Sequence, residues 1–275
     1  MTTIIKHRAS LLIGWFTLVS GICFAQNEHR LLTFKKGELY EKTTRINSSV
    51  ILKRYDQTYA INSSSSITNN YNITNSTDAG FTVAVTTKRI IDTLSAMGTS
   101  MKYDSNKPID TTSLIQKRLN TLIEKTANVS LGKRDTILSI NNPDLQLVND
   151  TLLAFTGLPS PLAEGGRLGL TVDYPNFSTQ KKGFTWEKSN SKMGLTSKFK
   201  IKSRDSRTTT ITFESNVRQP GSNSNTNGIL VAENDSGIVL ECQMRTTKID
   251  QQIFNKVLYT ASRSIAISET CTRKK

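Results

Sequence analysis

The residues most able to bind a ligand form a basic strip. Residues 198–204 read Lys-Phe-Lys-Ile-Lys-Ser-Arg. Successive side chains of a β-strand point to opposite faces. The spacing therefore predicts one basic face, made of Lys198, Lys200, Lys202 and Arg204. Such a face is typical of an edge strand kept soluble by lysine, and equally of a surface that docks on acidic lipid headgroups or glycans. We take it as the candidate anion-binding site.

Other chemically active residues are scarce or already explained. His29 is the single histidine after residue 25, so neither a histidine triad nor a histidine metal site is expected. The glycine-rich segment 165–169 lacks the Lys-Ser/Thr pair of a phosphate-binding loop and is interpreted as a linker. Most acids, such as Asp78 and Asp235, stand beside turn residues. We predict no catalytic, cofactor-binding or metal-binding residues, and a protein that is not an enzyme.

Two cysteines remain after residue 25, Cys242 and Cys271. If strands 238–247 and 257–271 form one hairpin, Cys242 faces about residue 262. The two thiols would then lie about 30 Å apart along the strand, too far for a disulfide. A bent or differently paired strand would still allow the bridge.

Four Asp-Thr pairs resemble acceptor sites of bacterial envelope O-glycosylation. Their threonines are Thr93, Thr111, Thr136 and Thr151. The other interpretation is that each aspartate caps a helix or stabilises a turn, which suits Asp110.

The N-terminus has the features of an export signal. Residues 6–8 are basic, residues 11–24 are mostly apolar, and Ala25 precedes a cleavage point before Gln26. The apolar run is shorter than the roughly 20 residues that span a bilayer. We expect residues 1–25 to be removed and the protein to act in the periplasm or at the cell surface. Lipidation of Cys23 and a retained anchor are the alternatives.

The exported chain is strongly basic. Removing Lys6 and Arg8 leaves 34 basic and 22 acidic residues, a net charge of +12. A basic surface attracts anionic partners. In the envelope we expect an anionic lipid or glycan as partner, and no nucleic acid.

An internal repeat organises the sequence. Residues 35–43 recur as residues 181–189, with Lys-Lys-Gly, an aromatic residue and Glu-Lys in the same places. A second echo relates residues 71–85 to residues 199–213. The offset falls from 146 to 128, so the first copy carries about 18 extra residues, placed at the Ser/Asn-rich stretch 62–70. The chain therefore reads as two copies of one β unit.

Alternating apolar and polar residues predict antiparallel strands in both copies. The clearest hairpin joins residues 229–232 to 238–244. Helical spacing of apolar residues predicts helices near 112–125 and at 143–156. We predict a mainly β (α+β) fold, in which two related antiparallel β units form a large curved sheet or barrel-like layer with one or two helices inserted between them. The first unit covers 26–140, a helix and linker cover 141–176, and the second unit covers 177–275.

Several of these segments occur together in a known group of proteins. The signal ending Phe-Ala-Gln, the opening at residues 34–40, Tyr103-Asp104-Ser105 and the turn 234–237 resemble a family of exported proteins from Bacteroidetes-type bacteria that has no established activity. More loosely, the predicted sheet with helices on one face is similar to bacterial lipoprotein carriers. The family resemblance implies export but assigns no functional residue.

Three functions remain open. The first is a non-enzymatic envelope or periplasmic protein that binds a ligand or partner, lipidic or anionic. The second is a structural or assembly component of the envelope, and the third is a carboxylate-based hydrolase. A deep apolar cavity would favour the first, an exposed apolar patch the second, and two acids in one cleft the third.

Overall fold

The computed structural model describes residues 34–77, 80–96, 98–132, 135–141, 158, 162–172, 177–191, 194–219, 221–254 and 257–274. The predicted signal peptide (1–25), the predicted helix 143–156, His29 and Thr151 lie outside these residues.

All described strands belong to one antiparallel sheet. The strands are β1 (Leu39–Arg54), β2 (Gln57–Ser76), β3 (Gly80–Ala96), β4 (Thr99–Asp104), β5 (Thr126–Gly132), β6 (Ile137–Asn141), β7 (Thr185–Asn190), β8 (Leu195–Arg204), β9 (Thr208–Gln219), β10 (Ser222–Glu233), β11 (Val239–Phe254) and β12 (Val257–Lys274). Their order is β6-β5-β3-β2-β1-β12-β11-β10-β9-β8-β7, and β4 pairs with the far end of β3. The predicted fold class is confirmed, and among the described strands the sheet is open, with β6 and β7 at its ends.

One α-helix lies within the described residues, α1 (Leu114–Asn120). Ser113 caps it, because its hydroxyl accepts a hydrogen bond from the backbone N–H of Gln116 at 3.3 Å. Leu119 is fully buried and packs with Ile90 and Tyr103. The helix is shorter than the predicted range 112–125, because turns follow it. No helix in the described part of the chain is long and apolar enough to cross a membrane.

The repeat is present in the strand register. In the first copy Tyr40 on β1 pairs with Tyr71 on β2, which pairs with Val85 on β3. In the second copy the same pairing joins Trp186 on β7, Phe199 on β8 and Phe213 on β9. The strands β1, β2, β3 and β5 thus correspond to β7, β8, β9 and β10.

The turns that open the two copies also match. The N–H of Gly37 donates to the carbonyl of Ile73 at 2.8 Å, and that of Gly183 to the carbonyl of Ile201 at 2.9 Å. Both glycines have positive φ, 89° and 88°, which a residue with a side chain adopts only under strain. The extra residues of the first copy lengthen a hairpin: β1 and β2 have 16 and 20 residues, and β7 and β8 have 6 and 10.

The two faces of the sheet differ in burial. The inner face carries the core; on β1 it consists of alternate residues such as Tyr40, Ile46 and Leu52. The outer face carries mainly Ser, Thr, Asn and charged residues, for example Arg45 and Asn47, which are exposed. Apolar side chains are therefore removed from water mostly on one side of the sheet.

A strap formed by residues 162–172 closes one end of the inner face. Its Leu168 and Leu170 are buried in the core. Asp135, fully buried, holds the strap: its Oδ2 accepts the N–H of Gly169 at 3.0 Å and lies 3.5 Å from Nη2 of Arg167. Burial raises the pKa of Asp135 to about 6, against the opposing effect of Arg167. Most of the predicted linker is thus a packed covering element.

Candidate functional site

A groove of about 1040 Å³ crosses the outer face of seven neighbouring strands, from β7 through β8, β9, β10, β11 and β12 to β1. Two rows of directly paired residues form its walls. The first row is Thr185, Lys200, Thr212, Ile229, Gln243, Ser268 and Arg45. The second row is Glu187, Lys198, Glu214, Asn227, Arg245, Ala266 and Asn47. The sheet itself therefore builds the groove, with one residue from each strand in each wall.

Between the walls runs a row of residues whose side chains point to the inner face. It includes Trp186, Phe199 and Phe213, whose rings follow one another with centroids 5.0 and 6.1 Å apart. The next residue in the row is Gly228 on β10. A Cβ there would lie 2.5 Å from Cζ of Phe213 and 2.6 Å from the backbone oxygen of Gln243. The aromatic row under the groove therefore requires glycine at this place.

The groove has more basic than acidic side chains. Its cations are Arg45, Lys198, Lys200 and Arg245, and its acids are Glu187 and Glu214. Lys198 lies between the two acids in its row, and its Nζ is 3.0 Å from Oε1 of Glu187. The hydrogen bond and charge of Glu187 raise the pKa of Lys198. Lys198 and Glu187 thus form an ion pair across neighbouring strands.

The other three cations of the groove differ from Lys198. Within the described part of the chain, Arg45, Lys200 and Arg245 have no carboxylate within ion-pair distance. With strands about 4.8 Å apart, Arg45 and Lys200 are about 24 Å apart along one wall. Arg245 stands in the opposite wall, two strands from Arg45. The groove therefore offers positive charge along its whole length rather than at one point.

The basic strip predicted from the sequence is only partly brought together. Lys198 and Lys200 line the groove. A β-bulge then places Ser203 opposite Thr210 and Arg204 opposite the buried Thr209, so the alternation shifts by one residue. Arg204 thus falls on the inner side, and the prediction of one face for all four residues is wrong. The strip is at an edge only in part: β7 pairs with β8 as far as Lys200, and no described strand pairs with Lys202–Arg204 on that side.

The Lys202 side chain is exposed in the bulge, beyond the end of the groove. Sequence reasoning found the two groove lysines but missed Arg45 and Arg245. Those two arginines come from strands that are distant in the chain, and the pairing of β1 with β12 and of β12 with β11 brings them together.

The cysteine register predicted from the sequence is also wrong. Cys242 pairs with Glu269, not with residue 262, because β11 continues to Phe254 and moves the hairpin end. Cys271 is therefore a diagonal neighbour of Cys242 on the inner face, about 7–8 Å away by ordinary sheet geometry. Both thiols are free and buried, and burial raises the pKa of each to about 11. They have the properties of core residues rather than of nucleophiles.

A buried ion pair lies next to the thiols. Nζ of Lys42 is 3.0 Å from Oε2 of Glu269 and donates to the carbonyl of Gly169 in the strap at 3.1 Å. Burial opposes the charge of Lys42, but Glu269 together with Tyr71 and Cys271 outweighs burial, and the pKa of the lysine is raised. Thr44 donates to the other oxygen of Glu269. This cluster fastens the strap to the centre of the sheet.

The predicted glycosylation threonines have unlike surroundings. Thr111 is exposed in the turn before α1, and the neighbouring Asp110 accepts the N–H and the hydroxyl of Thr112, which is turn chemistry. Thr93 lies within β3 and donates to the carbonyl of Ser64. Thr136 is bridged to Arg167 of the strap. Glycosylation stays a prediction, and Thr111 is the most accessible of the described sites.

The described strands form an open antiparallel sheet built from tandem β units, with the groove on its outer face. No protein-family model matches the chain, and no curated protein matches it. Among solved structures, lipovitellin, described by its lipid–protein interactions, is similar over 87% of this chain with 11% identity and a TM-score of 0.48. The match spans 25% of the lipovitellin chain.

Two bacterial structures match with lower TM-scores. The COG4313 outer membrane channel from Pseudomonas putida F1 matches 90% of this chain and 98% of its own, with 7% identity and a TM-score of 0.22. OccK7 (OpdD) of Pseudomonas aeruginosa matches 88% of this chain and 100% of its own, with 7% identity and a TM-score of 0.24. These values assign no activity to the chain, and the resemblance to exported Bacteroidetes-type proteins stays a prediction.

Proposed function

We propose that the protein is an exported, non-enzymatic envelope protein that binds an extended anionic ligand in the outer groove. The observation that carries the proposal is the set of three cations, Arg45, Lys200 and Arg245, spread along a groove of about 1040 Å³ with no carboxylate partner among the described residues. Each such charge attracts an anionic group by on the order of 1 kcal/mol in solvent.

The rest of the lining favours a hydroxyl-rich ligand. Both walls also carry amide and hydroxyl side chains: Asn47, Thr185, Thr212, Asn227, Gln243 and Ser268. Such groups both donate and accept hydrogen bonds. An acidic glycan of the envelope, or the phosphorylated headgroup of a glycolipid, has this chemistry.

The first copy of the repeat supplies a test variant. Asn72 occupies on β2 the place that Lys200 occupies on β8. Lys200→Asn therefore introduces a residue that this β unit already accommodates. We expect Lys200→Asn with Arg245→Gln to weaken binding of a hexamer of galacturonic acid at least tenfold at low salt, measured by calorimetry. Added salt should weaken ligand binding by the unmodified protein in the same way.

The controls distinguish an effect of the groove from an effect of net charge, and a glycan ligand from a lipid headgroup. Lys107→Asn and Arg118→Gln remove the same two charges far from the groove and should leave binding unchanged. A neutral glucose hexamer should not bind. Anionic vesicles, with the same variants, test the headgroup source. Equal affinity of the groove and control variants for every anionic probe would overturn the proposal.

A carboxylate-based hydrolase remains the second candidate, because Glu187 and Glu214 line the same groove wall. Lys198 separates them. If the groove hydrolyses glycans, new reducing ends should accumulate from the uronate hexamer and disappear with Glu187→Gln or Glu214→Gln. The binding proposal expects no product.

A further inference from the structure

Two neighbouring hairpins project from the sheet. β2 leaves β3 at the pair Ile61–Ala96, but β1 and β2 stay paired for four more residues, to Arg54 and Gln57. β11 leaves β10 at the pair Asp250–Ser222, and β11 and β12 also continue for four pairs, to Phe254 and Val257. Because β1 also pairs with β12 as far as Lys53, the hairpins form one four-stranded tongue of residues 51–60, 251–254 and 257–260. It extends about 13 Å beyond its neighbours.

Exposed apolar side chains gather on this tongue. Within the described residues, four of the six exposed large hydrophobic side chains lie on it or at its root. They are Tyr55 (93% exposed), Ile249 (59%), Leu258 (54%) and Ile51 (40%). Ile51 and Ile249 flank Ser262 from either side on the outer face. Such grouping is unusual on a surface that is otherwise rich in Ser, Thr and Asn, and it marks an interaction site.

The inner side of the tongue is packed. Tyr59 and Tyr259 meet edge to face with ring centroids 6.2 Å apart. They rest on the buried residues Leu52, Ile61 and Ala261. The tongue is therefore a braced projection with three tyrosines at its end, and not a loose loop.

Basic residues accompany the apolar ones. Lys53 and Arg54 precede the turn, and the guanidinium of Arg54 lies 5.6 Å from the ring centroid of Tyr55. Asp56 is the acid of the turn. The end of the tongue thus combines aromatic, aliphatic and cationic side chains.

We propose that the tongue seats the protein on the surface of an anionic lipid bilayer. Tyrosine prefers the boundary between headgroups and acyl chains, where its ring is buried and its hydroxyl stays wet. Lys53 and Arg54 are drawn to acidic headgroups, while Leu258, next to the last pair of its hairpin, enters the apolar boundary. A bilayer suits apolar groups spread around a narrow projection, whereas a protein partner needs a broad complementary surface. The tongue shares no residue with the groove, so this inference is independent of the ligand proposed there.

Vesicle co-sedimentation tests the proposal. Phosphatidylcholine vesicles with phosphatidylglycerol should bind the protein more tightly than phosphatidylcholine alone. Tyr55→Ser with Leu258→Ser should lower the partition coefficient at least tenfold, about 1.4 kcal/mol. Leu114→Ser with Leu138→Ser is the matched control, because those side chains are 64% and 58% exposed elsewhere on the protein. The control pair should bind as the unmodified protein does.

Further readouts keep the test independent of folding and of the groove. A polarity-sensitive fluorophore on Tyr55→Cys should shift to the blue with anionic vesicles, since Cys242 and Cys271 are buried and leave the new thiol as the labelled one. Lys200→Asn with Arg245→Gln should preserve the shift. Equal vesicle binding by the tongue and control pairs would overturn the proposal. So would a tongue-dependent dimer, seen by sedimentation velocity, without any fluorophore shift.

Discussion

Asp92 gives the sharpest test of the folded structure. Its side chain is fully buried on the inner face of β3. On one side it accepts a hydrogen bond from the hydroxyl of Ser65 on β2, and on the other it pairs in register with Tyr103 on β4. Its second oxygen has no hydrogen-bond partner among the described residues. Burial therefore raises the pKa of Asp92 to about 6, only partly offset by Ser65.

The raised pKa fixes the sign of the pH dependence. Between about pH 4 and pH 6 the native protein holds the proton of Asp92, while the unfolded chain has already lost it. The contribution of Asp92 to the free energy of unfolding therefore falls as pH rises through this window and levels off above it. A shift of about two pKa units corresponds to about 3 kcal/mol at most. Asp92→Asn keeps the shape and removes the charge, so its stability relative to the unmodified protein should rise by about 2–3 kcal/mol from pH 4 to pH 7.5.

Urea unfolding followed by circular dichroism at several pH values measures this difference. Asp56→Asn, at an exposed turn, is the control and should give no such slope. If the stability difference between Asp92→Asn and the unmodified protein did not change with pH, or fell as pH rose, Asp92 could not be a buried carboxyl group without a countercharge.

Three further outcomes are expected. Gly228→Ala should cost about 2 kcal/mol in thermal unfolding because the new Cβ meets the ring of Phe213 and a backbone oxygen, and Phe213→Val should restore part of the loss; an unchanged Tm would contradict the packing. Cys242 and Cys271 should react with a thiol reagent only after denaturation without reductant, and a failure to react then would reveal a disulfide. Mass analysis of the exported form should find Gln26 at the N-terminus, and a lipid on Cys23 would refute this.

Local patterns predicted the sheet but not its register. Period-two alternation located most strands. The recurring Lys-Lys-Gly turn identified two copies whose strands correspond one to one. The position of Cys242 was misjudged because residues 250–252, Asp-Gln-Gln, are polar and yet β11 continues through them to Phe254. Where a hairpin turns is decided by pairing along its whole length, and a shift of the turn moves every cross-strand neighbour.

The candidate site was predictable only where it is local. Lys198 and Lys200 stand out because their spacing reports one strand face. The bulge before Arg204 leaves no clear mark in the sequence, since Lys202 and Ser203 are as polar as their neighbours. Arg45 gave no signal, because its part in the groove depends on β12 pairing with β1, a contact between the two ends of the chain.

The first copy of the repeat offers a less charged version of the unit that forms one end of the groove. At matching places the first copy has Asn70, Asn72 and Thr86 where the second has Lys198, Lys200 and Glu214. The unit therefore folds with neutral side chains at these three places, although Glu41 of the first copy matches Glu187. In the second copy Lys198 forms an ion pair with Glu187 in its own row, while Lys200 in the other row has no carboxylate partner among the described residues. Lys198→Asn with Glu187→Thr should therefore leave the urea midpoint of unfolding unchanged, because exposed ion pairs contribute little. Lys200→Asn should likewise spare stability and yet weaken ligand binding.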